Sequence, residues 1–146
     1  MRGEANPNTG ILFADLNGLK YINDHFGHRY GDEYLKKFSE SLAQSFGEDN
    51  VYRISGDEFV VIEKEVDSDA FKKQEANLEE DIVIKGFEVA SFGAIHSSRC
   101  SEPLRLINEA ESIMYEKKKK FHANRPVMSD EEKEAYYKKR FPFLPR

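Results

Sequence analysis

Carboxylates at two predicted strand ends are the side chains of this sequence best placed to do chemistry. Asp15 closes the apolar run 11–14 (ILFA), and Asp57 and Glu58 occupy a predicted turn between two β-rich runs, 51–54 (VYRI) and 59–62 (FVVI). In an antiparallel sheet, a hairpin tip beside a strand end brings such carboxylates together. Mg²⁺ takes oxygen ligands of this kind, usually one or two carboxylates with substrate phosphates. From spacing alone, ordinary turn chemistry remains an open alternative to a cation site.

Helices must position these strand ends, and the spacing of hydrophobic residues predicts where the helices lie. Between Lys20 and Phe46 the apolar residues recur at steps of mostly three and four, with an interruption near Gly27 and Gly31. This pattern predicts a short helix, a turn and a longer helix. A further helix is predicted over about 102–120, with Pro103 in its first turn.

The remaining segments complete an α+β order. Residues 66–80 have a weak helical pattern, and the runs 82–85 (IVIK) and 87–95 (FEVASFGAI) predict a strand pair turning at Gly86. Ser129-x-x-Glu132 is a capping box that opens a short charged helix before the tail FPFLPR. The order β-α-α-β-β-α-β-β-α predicts helices packed on a largely antiparallel sheet.

Composition bounds the kind of protein. The 146 residues fit one compact domain, and 22 Lys and Arg against 27 Asp and Glu give a net charge of −5. An acidic chain is poorly suited to coating nucleic acid. There is no signal-peptide pattern and no apolar run near the ~18 residues that a membrane span needs. The single cysteine, Cys100, excludes an internal disulfide framework, so we expect a reducing, cytoplasmic setting.

Four segments, in the right order, resemble the signatures of the GGDEF family, the diguanylate cyclases. Residues 55–59 (SGDEF) resemble the motif that names the family, and residues 15–32 (DLNGLKYINDHFGHRYGD) resemble its D-x-[DN]-x-x-K-x-x-N-D and G-H-x-x-G-D signature. Residues 110–118 (AESIMYEKK) resemble its A-D-x-A-[LM]-Y-x-A-K helix, and residues 89–93 (VASFG) its V-T-x-S-I-G strand. The resemblance implies a palm-like, ferredoxin-like fold.

The resemblance also implies a metal site and catalytic residues. Asp15 and Asp57 would ligate Mg²⁺ or Mn²⁺ through their side chains, and Leu16 through its backbone carbonyl. Asp57 would help to deprotonate an attacking 3′-hydroxyl, and Glu58 and Lys20 would share the catalytic site. Lys20 would stabilise charge that develops on the phosphates.

A second set of residues would bind the nucleotide. Asn23 and Asp32 would hydrogen-bond the guanine base, since an amide and a carboxylate match its acceptor and donor edge, and His28 would line the same pocket. Lys118, reaching in from the last helix of the family, would contact phosphate. Taken singly, each of these residues also has a structural interpretation. Asn23 could be a polar position of a helix, and His28 could be a turn residue. The lysine run 117–120 could be a solvated helix face.

The function implied is a diguanylate cyclase that condenses two GTP into cyclic di-GMP and two pyrophosphates. The expected partners are GTP, a second copy of the domain in an antiparallel homodimer, and an N-terminal sensor or regulatory domain, with no nucleic acid and no membrane contact. We expect the domain over residues 1–125 and a charged helix with a Pro/Phe tail over 126–146. The alternative is a catalytically weak, GTP-binding regulatory domain.

Two positions depart from the family pattern and favour the alternative. Ser55 stands where the motif has its first glycine, and His122 stands where the last helix usually has an arginine. An imidazole is shorter than a guanidinium and mostly neutral at pH 7, so it makes a weaker phosphate contact. The intact Asp15, Asp57 and Asn23 favour the active enzyme.

Overall fold

The computed structural model of the chain describes residues 6–85, 90–100 and 102–146. Over these residues the chain forms four strands and five α-helices, with a short 3₁₀ helix before the second strand. The elements are β1 (Asn6–Leu16), α1 (Leu19–Phe26), α2 (His28–Phe46), β2 (Val51–Ser55), β3 (Glu58–Glu63), α3 (Ser68–Lys85), β4 (Ala90–Cys100), α4 (Pro103–Ala123) and α5 (Asp130–Arg140).

The four strands form one antiparallel sheet in the order β2-β3-β1-β4. β1 lies between β3 and β4, and its end is in register with both neighbours, because Asp15 is opposite Glu58 of β3 and Ser91 of β4. The predicted helix pair and the 51–62 hairpin are confirmed, as is the α+β class. The sheet brings the two predicted carboxylate positions to one edge.

Side chains alternate along β1, so this strand places apolar residues on both faces of the sheet. Helices cover both faces. Leu12, Ala14 and Leu16 belong to the larger core, which α1, α2, α3 and α5 share. Ile11 and Phe13 point to the other face and pack against α4. β1 is thus an inner strand of the sheet that is buried on both faces.

Gly93 of β4 allows α4 to lie directly on the sheet. A Cβ at this position would overlap the carbonyl oxygen of Ala110 and the amide nitrogen of Met114, both backbone atoms of α4. Because the helix backbone cannot rotate away as a side chain can, an added methyl group must push the helix off the sheet.

We expect Gly93→Ala to lower the free energy of unfolding by about 2–3 kcal/mol, as overpacking in a closely packed core does. The measurement is the urea midpoint. Gly56→Ala is the matched control, since a Cβ there meets nothing within 4 Å. Equal midpoints for the two variants would contradict the close approach of α4.

One predicted strand is wrong. Residues 82–85 (IVIK), predicted as a strand, form the last turn of α3. The β-branched run favours a strand locally, but Phe71, Leu78 and Ile82 lie on one face of the helix and are buried together in the larger core. Over the described residues the sheet therefore has four strands, whereas the sequence predicted five. The predicted turn at Gly86, and residues 87–89 of the next predicted strand, lie outside the described residues.

The C-terminal helix and tail pack against the same core as α1 and α2. The predicted capping box is confirmed, since the Glu132 amide donates to Ser129 Oγ (3.2 Å) and the Ser129 amide donates to Glu132 Oε1 (3.1 Å). Tyr137, Phe141 and Leu144 are buried in the larger core. In the described part of the chain, no helix has the length and apolar character to cross a bilayer.

Candidate active site

The Asp15 carboxylate is the most buried acidic group of the site. Its side chain is 8% exposed, and its Oδ2 accepts a hydrogen bond from Lys118 Nζ at 2.7 Å. Its other oxygen, Oδ1, is buried without a hydrogen-bond partner among the described residues. A buried carboxylate oxygen without a donor is costly, so this atom is suited to receive a cation.

Asp57 lies beside Asp15, in the turn between β2 and β3. The Leu16 amide donates to the Asp57 backbone carbonyl (2.9 Å), which ties the end of β1 to this turn. Burial raises the pKa of the Asp57 carboxyl, and the charge of Asp15 raises it further, against an opposing effect of Lys118. Burial and the charge of Asp15 both disfavour a second negative charge at this edge. A divalent ion would offset the repulsion between the two carboxylates.

The residues present fit a divalent ion that shares its ligands with a substrate. Asp15, Asp57 and the Leu16 carbonyl are oxygen donors, as Mg²⁺ and Mn²⁺ prefer. Within the described ranges no group of three or more His, Cys, Asp or Glu side chains could hold a metal. Two carboxylates without a third leave coordination positions for phosphate oxygens and water, which is how Mg²⁺ is usually bound.

Arg53 and Ser55 shape the hairpin tip. Arg53 donates from Nη2 (2.7 Å) and Nε (3.1 Å) to the Gly56 carbonyl, and Ser55 Oγ donates to Glu58 Oε1 (2.5 Å). The serine that departs from the motif thus makes a bond that glycine could not. In the sequence analysis, Arg53 was only a residue of the run 51–54 that flanks the turn. An arginine close to a glycine turn could have indicated hydrogen bonds from its guanidinium to the turn backbone.

The loop after β1 is held from both sides by residues that sequence reasoning missed. Asn17 Nδ2 donates to Ser91 Oγ of β4 (3.0 Å), and Tyr34 Oη of α2 donates to the Asn17 carbonyl (3.1 Å). Gly18 follows with φ +85°, a left-handed conformation that favours glycine. The partners are 74 and 17 residues apart in sequence, so no local pattern could predict these bonds.

The predicted base-contacting residues Asn23, His28 and Asp32 lie on α1 and at the start of α2. A Cβ on Gly31 would overlap the amide group of Asn23, so this side chain lies directly on the α2 backbone one residue before Asp32. The Asp32 side chain is exposed, and so is that of His28, the first residue of α2. Asn23 therefore lies against the α2 backbone at Gly31, the residue before Asp32.

Two clefts meet at Asp32. One of about 550 Å³ lies between α2 and the hairpin, and its lining includes Asp32, Arg53 and Phe59. The other, of about 600 Å³, is lined by Asp32 and Lys37 among others. Both volumes fall in the range of small-molecule sites. Neither Asn23 nor His28 lines either cleft.

Lys20 is not gathered into the site. Its side chain is 90% exposed, and Nζ pairs with Asp24 Oδ2 at 3.1 Å, one helical turn away. His122 is also exposed, with its ring edge-on to Phe121. Of the two predicted phosphate-contacting lysines, only Lys118 lies against the carboxylates.

Lys118→Met is expected to lower the free energy of unfolding by about 2 kcal/mol at neutral pH, because it leaves the Asp15 carboxylate buried and unpaired. The measurement is urea denaturation with and without Mg²⁺, and the ion should raise the midpoint of the variant more than that of the parent.

Lys119→Met is the matched control for this change. Lys119 is 61% exposed and pairs only loosely with Glu116 (3.6 Å), so its loss should change stability by less than about 0.5 kcal/mol. Adding Asp15→Asn to Lys118→Met should restore most of the lost stability. If Lys118→Met and Lys119→Met unfold alike, the ion pair with Asp15 does not stabilise the site.

The family to which this chain belongs follows from comparison with known protein families. The sequence profile of the family described as "Diguanylate cyclase, GGDEF domain" matches residues 2–124, most of the chain. The chain belongs to the GGDEF family. The family that the sequence analysis inferred is thereby confirmed.

Curated relatives of this GGDEF domain include enzymes of opposite action. Diguanylate cyclase DgcN of Escherichia coli is 36% identical over 72 residues, 49% of this chain and 18% of the relative. Cyclic di-GMP phosphodiesterase PdeR of the same organism is 26% identical over 119 residues, 75% of this chain and 18% of the relative. The chain thus matches less than a fifth of the length of either protein.

Solved structures confirm the palm-like fold of the GGDEF domain. The GGDEF domain of TpbB (also called YfiN) from Pseudomonas aeruginosa superposes with a TM-score of 0.67 and 25% identity, covering 78% of this chain and 73% of that one. The active GGEEF domain of a diguanylate cyclase from Vibrio cholerae, 18% identical, shares the fold with a TM-score of 0.62 over 78% of each chain.

Proposed function

We propose that this GGDEF domain is a diguanylate cyclase that condenses two GTP into cyclic di-GMP and two pyrophosphates. The observation that carries the proposal is the pair of carboxylates at one sheet edge. There, a buried oxygen of Asp15 has no partner among the described residues, and the pKa of Asp57 is raised by burial and by Asp15. The names of relatives such as DgcN give independent support.

Asp15, Asp57 and the Leu16 carbonyl would hold Mg²⁺ or Mn²⁺. When bound, the ion would lower the pKa of the attacking 3′-hydroxyl and neutralise charge on the phosphates. The bond from the Leu16 amide to the Asp57 carbonyl fixes the Asp15–Leu16 peptide, immediately before the Leu16 carbonyl, beside the two carboxylates.

The chain's own groups would move the proton and stabilise the charge. The Asp57 carboxylate would accept the 3′-hydroxyl proton of one GTP. The 3′-oxygen would then bond to the α-phosphorus of the other GTP as the bond to pyrophosphate breaks. Lys118 Nζ, already at the Asp15 carboxylate, would lie near a phosphate bound there and offset its charge.

Asn23 and Asp32 would select guanine. Asn23 is held against Gly31, and the exposed carboxylate of Asp32 is free of the helix core. A carboxylate accepts from the N1 and N2 hydrogens of guanine, and adenine has no such donor pair. His28, exposed at the start of α2, would lie beside the bound base.

A homodimer would complete the reaction. One domain would hold one GTP, so the 3′-hydroxyl of each nucleotide must reach the α-phosphate of the other across two facing sites. We expect an antiparallel arrangement, with further domains of a longer protein supplying control.

A GTP-binding domain with little turnover is the second candidate, and the position of Lys20 favours it. Lys20 is solvent-exposed and paired with Asp24 rather than with the carboxylate site, and His122 offers no guanidinium. PdeR, whose name denotes a phosphodiesterase, is also among the relatives.

Incubation with GTP and Mg²⁺, followed by chromatography of the nucleotides, separates the two candidates. The cyclase predicts cyclic di-GMP that accumulates more steeply than in proportion to protein concentration, because two domains must meet. The second candidate predicts GTP recovered intact despite saturable binding in calorimetry.

A further inference from the structure

The C-terminal segment, residues 129–146, is folded into the domain rather than laid over its surface. Tyr137 is 1% exposed, and Phe141 and Leu144 are equally buried in the larger core. Arg146 closes the segment on itself, donating from Nη1 to the Lys138 carbonyl (2.8 Å) and from Nη2 to the Pro142 carbonyl (3.2 Å). A terminal segment this deeply inserted must be ordered together with whatever it contacts.

One contact of the C-terminal segment is with the loop that follows Asp15 and Leu16. A Cβ placed on Gly18 would lie 2.5 Å from Tyr137 Oη, so the tyrosine hydroxyl rests directly on the Gly18 backbone. The Tyr137 ring also stacks on Tyr21 of α1, with centroids 4.5 Å apart. Tyr137 thus contacts both the loop and the helix that begins from it.

A second contact reaches the same loop through α2. Phe141 packs edge-on against Tyr34, with centroids 4.9 Å apart, and Tyr34 Oη donates to the Asn17 carbonyl (3.1 Å). The ring of Phe143 lies 6.3 Å from that of Tyr34. The C-terminal segment therefore packs on the Tyr34 ring, and the Tyr34 hydroxyl in turn holds the Asn17 carbonyl.

We propose that the C-terminal segment is a positioning element for the loop of residues 16–18, acting through Tyr137 on Gly18 and through Tyr34 on Asn17. The loop is then held on one side by the Asp57 carbonyl and on the other by the C-terminal segment. This inference rests on the proposed function, in which the Leu16 carbonyl is a metal ligand. Groups that orient metal ligands typically change metal affinity by about 10–100-fold when they are removed.

The test uses the full chain with two variants and two matched controls. Tyr34→Phe removes only the hydroxyl that holds Asn17, and its control is Tyr30→Phe on the same helix. Tyr137→Leu removes the ring over Gly18, and its control is Tyr115→Leu, which removes an exposed ring of α4.

The first measurement is amide hydrogen exchange resolved by residue, which needs no activity. We expect the amides of residues 17–19 to exchange about tenfold faster in Tyr34→Phe and in Tyr137→Leu, while amides of β1 before Asp15 and both controls stay at parent rates. A purely structural role for Tyr137 and Tyr34 predicts acceleration spread over the whole larger core. Uniform acceleration, or no change at residues 17–19, would overturn the inference. Should Tyr137→Leu not fold, Tyr137→Phe, which removes only the hydroxyl that rests on Gly18, takes its place.

The second measurement is titration with Mn²⁺ alone, followed by water-proton relaxation. The inference predicts affinity weakened about tenfold in Tyr34→Phe and in Tyr137→Leu, and unchanged in both controls. Faster loop exchange with equal Mn²⁺ affinity would reject the link between loop and metal. A parent that does not bind Mn²⁺ rejects the metal site of the proposed function, whereas the exchange data still decide whether the segment holds the loop.

Discussion

Replacing Asp57 with asparagine is expected to abolish formation of cyclic di-GMP while leaving the fold intact. The substitution removes a charged ligand and the proposed base together, and losing a ligand of such a site costs several kcal/mol of transition-state stabilisation. Stability should be equal or higher, because the raised pKa of Asp57 means that its charged form is disfavoured in the folded protein at neutral pH. Chromatography of products and the urea midpoint are the two measurements.

Asp49→Asn is the matched control for this variant. Asp49 is an exposed acid in the 3₁₀ helix before β2, and its loss removes the same charge far from the carboxylate pair. It should retain parental turnover. Comparable turnover in Asp57→Asn and the parent would remove Asp57 from the mechanism, and a lower midpoint would contradict the cause given for its raised pKa.

The second large effect concerns the base. We expect the domain to prefer GTP over ATP by about 10⁴-fold, because polar groups built to pair with guanine are left unpaired by adenine. Asp32→Ala should remove most of this preference by weakening GTP binding and leaving ATP binding as it was. Calorimetry with non-hydrolysable analogues of both nucleotides and Mg²⁺ measures it.

Glu40→Ala is the control for the base-selectivity prediction. Glu40 is an exposed acid two turns along α2 from Asp32, so it changes the charge of the same helix without reaching the Asn23–Gly31 contact. Equal affinity of the parent for the GTP and ATP analogues would show that Asn23 and Asp32 do not read the base.

The parts of the fold that sequence predicted correctly are those that local chemistry specifies. The hairpin follows from the turn residues Ser55 to Glu58 between β-rich runs, and the α1–α2 pair from helical spacing broken at Gly27. The run 82–85 was misread because a short β-branched stretch suits either state, and burial of Ile82 in the larger core decided for helix.

The carboxylate positions could be predicted from sequence, but their surroundings could not. Asp15 and Asp57 fall at strand ends that local patterns locate. The bond from Lys118 to Asp15 joins residues 103 apart, and the place of Tyr137 over Gly18 depends on how α5 docks on α1. The i, i+4 spacing of Lys20 and Asp24 on a predicted helix was a local signal for their ion pair, which leaves Lys20 exposed and away from the carboxylates.

The most direct test of the central proposal is the ratio of the two products formed by the parent chain from GTP and Mg²⁺. Cyclic di-GMP and pyrophosphate should be quantified in the same reaction over a range of protein concentrations. The account predicts one cyclic di-GMP for every two pyrophosphates, with both products lost when Mg²⁺ is chelated. GTP that stays intact at every protein concentration, or pyrophosphate released without cyclic di-GMP, would contradict it.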